Sequence, residues 1–142
     1  YHFLSLAKFE GLIYNDAFLE YEQVYEGVYY GTLKSELERI WALGKVPVLD
    51  IDVKGAIRVQ QQLGNKSLSV FIMPPSVETL KNRLLNRQTE TEESIKTRID
   101  KAEYEISFSN QFNAIVKNEI LDTACQEAAE LLIEFLGPEF TK

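Results

Sequence analysis

Histidine and cysteine are nearly absent from these 142 residues, which hold one of each, His2 and Cys125. A single cysteine forms no internal disulfide, which points to a reducing compartment. One histidine and one cysteine do not make a zinc cluster, and no Ser-His-Asp arrangement is present. His2, beside the first residue, is more simply incidental than catalytic. Excess basic charge is also missing. The net charge is −7, whereas nucleic-acid binders carry a basic face, so DNA and RNA are poor first candidates. A small anionic ligand held by local arginines stays open. No apolar run approaches the roughly 20 residues that cross a bilayer. The opening stretch YHFLSLAKFEG has neither the basic nor the apolar region of a signal peptide. It has no initiator Met, so residue 1 is not expected to be the natural start. Neither GxGxxG nor GxxxxGK followed by Ser or Thr occurs. There is no internal repeat, low-complexity tract or Gly/Ser linker.

What is present suffices for one domain with a core. Ser5 is placed to cap a short helix through about Ile13. AFLEYEQVYEGVYYG alternates as two or three short strands, with Asn15-Asp16 and Glu26-Gly27 as turn points. Thr32 is expected to cap a helix carrying Leu33, Leu37, Ile40 and Trp41 on its apolar side, with Gly44 ending it. The rhythm then changes. VPVLDID, Val46 to Asp52, reads as a strand buried on both faces. A helix follows and ends at Gly64. SLSVFIM, Ser67 to Met73, is a second buried strand, stopped by Pro74 and Pro75. Ser76 caps a helix through about Leu85. A polar loop, RQTETEES, leads to a helix from about Glu92 to Ser107. AIVKN, Ala114 to Asn118, is a third strand, and Asp122 caps a last helix through about Phe135. Alternating strands and helices predict a parallel sheet with helices on its faces. The first third breaks that rhythm and is expected to be an inserted, mainly β subdomain.

Ligands of open α/β sheets bind beyond the carboxyl ends of the strands. VLDID puts Asp50 and Asp52 there, where acids position a metal or its waters in phosphate-handling enzymes; a plain helix cap is an equal alternative. Arg83 and Arg87 lie four apart on one helix face, and Arg98 follows the polar loop. Arginine forks bind phosphate in two places, so the three are candidates to converge on phosphates. From spacing alone, surface pairing with Glu90, Glu92 and Glu93 is the simpler reading. Glu20 heads a stretch with Tyr21, Tyr25, Tyr29 and Tyr30. A carboxylate accepts two hydrogen bonds from the guanine N1–H and N2–H₂ edge, and tyrosine hydroxyls hold phosphate, although aromatic residues more often serve a core.

Taken in order, YHF, FLEYE, YYGT, VLDIDVKG, FIMPPSVETLKNRL, NRQTETEESIKTR and AIVKNE resemble guanylate kinases across nearly the whole chain. The resemblance implies one guanylate-kinase-like domain over 1–142. Its parts would be a GMP-binding subdomain at 1–32, a core at 33–82 and 107–142, and a small helical lid at 83–106. The implied fold is the P-loop-kinase parallel sheet flanked by helices, with the first strand and P-loop absent from this chain. Tyr1 and Tyr30 would bind the GMP phosphate. Glu20 and Thr32 would read guanine, with Asp52 on the same side, and reject adenine, whose 6-amino group donates where guanine accepts. Asp50 would lie near Mg²⁺ and its waters. Arg83 and Arg87 would meet ATP, Asn118 would lie near its adenine, and Arg98 would reach between the two phosphates. Arg87, Arg98 and Asp50 are thus the implied catalytic set.

The implied reaction moves the γ-phosphoryl group of ATP to GMP, giving ADP and GDP, in the cytoplasm and with no nucleic-acid or membrane partner. Subunit number stays open. Without a P-loop these residues alone are expected to be inactive, and the sheet to lack a central strand. Three departures stand out. Arg87-Gln88-Thr89 replaces the family's RGT, Lys54 replaces a glutamine, and the stretch from Glu20 to Tyr30 is one residue longer than usual. Two rivals remain. One is a non-catalytic guanylate-kinase-like module that binds proteins, separable by its affinity for phosphopeptide against GMP. The other is a kinase for another nucleoside monophosphate.

Overall fold

The computed structural model describes residues 2–86 and 91–137. They fall into two compact units, divided between Gly64 and Asn65. The first begins with helix α1 (Leu6–Tyr14), whose N-cap Ser5 accepts from the Lys8 amide as the sequence predicts. Strands β1 (Phe18–Tyr25) and β2 (Val28–Leu33) form an antiparallel hairpin turning at Glu26-Gly27. Gly27 has φ +74°, a left-handed turn conformation that glycine adopts at no steric cost. Helices α2 (Lys34–Ala42) and α3 (Val53–Leu63) complete the unit. Phe9 stacks on Phe18 at 4.3 Å between centroids and on Tyr29 at 5.3 Å. A second cluster joins Leu19, Leu37 and Val59, with Leu49, Ile51 and Leu63 packed against it.

Three consecutive residues of β1, Phe18, Leu19 and Glu20, are all buried. A regular strand alternates its faces and does not do this. The register explains it. Phe18 pairs with Leu33 and Glu20 with Thr32, leaving Leu19 as an extra residue in a β-bulge. The bulge turns Leu19 into the aliphatic cluster while Phe18 stays on the aromatic one. A second irregularity falls between Gln23 and Tyr25. The extra length expected within this hairpin therefore coincides with an irregular ladder.

Two expectations are corrected here. Residues 46–52 are not a strand among the described residues, because the sheet of this unit is the two-stranded hairpin and offers them no ladder. They are also not buried on both faces. Leu49 and Ile51 turn to the core, whereas Val48 is 83 % exposed. Thr32 does not cap α2. It lies in β2, and the N-cap is Leu33, with no side-chain bond.

In the second unit, β3 (Val70–Met73) and β4 (Ala114–Lys117) run parallel, with Val70 opposite Ala114 and Met73 opposite Lys117. Helices α4 (Val77–Leu85), α5 (Glu92–Ile106) and α6 (Leu121–Leu136) accompany them. The parallel pairing, the Ser76 cap of α4 and both long helices agree with the sequence reading. The α6 N-cap is Ile120, and Asp122 lies in its first turn, where a carboxylate still favours the helix dipole. Val116 is fully buried, and Phe71 meets Phe112 edge-on at 5.2 Å. Asn113 ties the strand starts together: its Oδ1 accepts from the Ser69 amide and hydroxyl at 3.0 and 2.9 Å.

Candidate functional site

In the first unit the polar residues singled out by sequence meet between the hairpin and the start of α3. Glu20 is 6 % exposed, a burial that a carboxylate tolerates only with partners. The Thr32 hydroxyl, directly across the ladder, donates to Glu20 Oε1 at 2.7 Å. Asp52 is the N-cap of α3 and its Oδ1 accepts from the Gly55 amide at 2.7 Å. The capping role weighed from sequence is therefore the one Asp52 displays. The two acids are brought together at Gly55. A Cβ there would lie 3.0 Å from Asp52 Oδ1 and 3.2 Å from Glu20 Oε2. Only glycine leaves that space open, and a glycine near the start of a helical pattern is the signal that marks it in the sequence.

Gly31 is tighter still. A Cβ would stand 2.8 Å from both the Glu20 carbonyl oxygen and Tyr21 Cβ, so β2 approaches β1 at glycine distance beside Glu20. Tyr30 is 54 % exposed on β2, two residues from Thr32 and hence on the same face. Asp50 is exposed in the segment leading to Asp52. Tyr1 lies outside the described residues.

In the second unit a cleft of about 310 Å³ opens past the carboxyl end of β3. Its lining includes Phe71, Leu84, Arg83, Arg98, Glu105 and Asn118. The Asn118 amide donates to the Met73 carbonyl at 2.7 Å, prolonging the parallel ladder by one bond. Arg83 sits in the last turn of α4 and donates to the carbonyls of Asn118 and Glu119 at 2.9 and 3.2 Å. Arg98 enters the same cleft from α5. Three residues far apart in the sequence thus share one cavity. Arg87, expected beside Arg83, and the Gln88 departure lie outside the described residues.

Among the described residues no group of three or more His, Cys, Asp or Glu side chains gathers to hold a metal ion. No helix among them is long and apolar enough to cross a membrane.

Cationic groups gathered past the carboxyl end of parallel strands are the layout of a nucleotide-handling α/β protein. Comparison with known proteins gives the family. The guanylate kinase family model matches residues 1–135. The chain is 44 % identical over 137 residues to a guanylate kinase of Bacteroides fragilis, covering 96 % of this chain and 67 % of that protein. It is 42 % identical over 137 residues to one from Porphyromonas gingivalis, covering 96 % and 73 %. A crystal structure of guanylate kinase from Anaplasma phagocytophilum superposes with a TM-score of 0.71 at 28 % identity, covering 97 % of this chain and 66 % of the other. The chain spans about two thirds of the length of these relatives. It belongs to the guanylate kinase family, nucleotide-binding transferases of the nucleoside monophosphate kinase class.

Proposed function

We propose that this chain supplies the acceptor-reading and lid-side parts of an enzyme that transfers the γ-phosphoryl group of ATP to GMP. The observation that carries the reading is the buried Glu20 carboxylate, fixed by the Thr32 hydroxyl at 2.7 Å and standing beside the Asp52 cap. A carboxylate has about four acceptor positions. One is taken by Thr32, and the remainder suit the two donors on the guanine edge. Adenine presents no such pair, so it would leave a buried charge unsatisfied. Tyr30, on the same face, and Tyr1 hold the acceptor phosphate.

Arg83, Arg87 and Asn118 serve ATP, and Arg98 neutralises charge on the transferring group. Phosphoryl transfer needs positioning and charge neutralisation more than covalent help from the protein. Residues 83–106 act as the lid, and its closure keeps water from competing as acceptor. Mg²⁺ fits as an ion carried by the ATP phosphates. It prefers waters and phosphate oxygens to a closed protein cage, and the exposed Asp50 carboxylate is suited to accept from those waters. The 142 residues contain no GxxxxGK loop ending in Ser or Thr, so by themselves they should bind GMP without turning it over.

The test is kcat/KM for GMP against AMP in the full-length protein and its Glu20→Gln variant. The expected result is a fall in GMP preference on the order of 100-fold. A variant that keeps the full preference overturns the assignment of Glu20.

A further inference from the structure

Glu20 is held by more than Thr32. The carbonyls on either side of it are both engaged by α3. Gln62 Nε2 donates to the Leu19 carbonyl at 2.5 Å, and Arg58 Nη1 donates to the Tyr21 carbonyl at 2.9 Å. The Arg58 guanidinium also lies over the Tyr21 ring, 5.4 Å from its centroid. The spacings match. Four residues of helix rise about 6 Å, and two residues of strand span about 6.6 Å. Donors at positions i and i+4 of one helix face therefore meet carbonyls at j and j+2 of one strand. The Leu19 carbonyl belongs to the bulge residue, whose extra length breaks the regular ladder.

The same helix carries Asp52 at its N-cap and Gly55 in its first turn, with the Gly55 Cβ position 3.2 Å from Glu20 Oε2. One rigid element thus fixes the backbone on both sides of Glu20 and presents the second acid to it. We infer that Arg58 and Gln62 are positioning residues for nucleobase selection: they lock the bulged strand onto α3 so that Glu20 and Asp52 face the same base edge. The inference rests on the reading of Glu20 as the guanine-reading group.

The experiment compares Arg58→Ala, Gln62→Ala and Glu20→Gln in the full-length protein. It uses GMP and inosine monophosphate, which lacks the 2-amino group, with thermal unfolding measured alongside. Arg58 is exposed, so its variant is expected to fold. Each of the two α3 variants should raise KM for GMP about tenfold, with kcat and KM for ATP nearly unchanged. Each should narrow the preference for GMP over inosine monophosphate, and Arg58→Lys, which keeps a donor, should restore part of it. If Glu20→Gln abolishes the preference while both α3 variants keep it, the positioning role is overturned and the guanine reading stands. If Glu20→Gln itself keeps the preference, both fall. If Arg58→Ala lowers the unfolding temperature without moving the GMP-to-inosine ratio, Arg58 is a structural tie only and the proposal fails.

Discussion

The two units handle polar groups in opposite ways. In the first, the Glu20 carboxylate is buried on a bulged strand and already held by the Thr32 hydroxyl, near the Asp52 cap of α3. In the second, long cationic side chains line an open cleft, and Arg83 donates to the backbone carbonyls of Asn118 and Glu119. Under the proposed function, the difference matches what each site would recognise. A flat base edge is distinguished by the placement of donors and acceptors, and a preorganised site suffers least reorganisation on binding. A phosphate is a diffuse charge, and arginines on flexible stems can follow it.

The comparison is sharpened first by Arg98→Ala. If the cleft acts on charge developing during transfer, kcat should fall on the order of a thousandfold in the full-length enzyme, while the unfolding temperature and GMP affinity barely move. A near-normal rate would remove Arg98 from the chemistry. The converse change is Gly31→Ala. Its methyl meets backbone at 2.8 Å, and overpacking of this kind costs about 1–3 kcal/mol. Chemical denaturation should report that loss together with weaker GMP binding. If the variant is as stable as the parent, the first unit is less rigid than its contacts imply.

The smallest effect should come from an ion pair on α2 that belongs to neither candidate site. The Arg39 guanidinium, hydrogen-bonded to Glu36 at 2.9 and 3.0 Å, holds that carboxyl below its ordinary value. A lowered folded-state value means stability that is present above the ordinary carboxylate range and is lost as pH falls through the lowered one. Arg39 is exposed and Glu36 only half-buried, so solvent screening keeps the effect small. Denaturation of Glu36→Gln against the parent should show a slight gap at neutral pH that closes under acid. A gap that widens there would contradict the sign.

Local signals in the chain were legible where they were strong. Ser5 and Ser76 cap their helices, Gly64 ends α3, and Glu26-Gly27 turns the hairpin. Each is decided within a few residues by backbone geometry. Thr32 misleads for the opposite reason. Before LKSEL it resembles a helix cap, yet strand pairing sets it across from Glu20, and that partner is 12 residues away in sequence. Residues 46–52 mislead likewise: their apolar content suggests a strand, but a strand exists only where another offers a ladder.

The sequence by itself determined the family, most of the helices and turns, and the residue types suited to a base edge and to phosphate, because caps, turns and ordered motifs are written locally. The tertiary structure decided which of them meet. The bulge at Leu19, the clearance at Gly55, and the grip of Arg58 and Gln62 on the carbonyls flanking Glu20 depend on register and helix placement. Contacts of that range arise only when packing fixes segments that lie far apart in the chain.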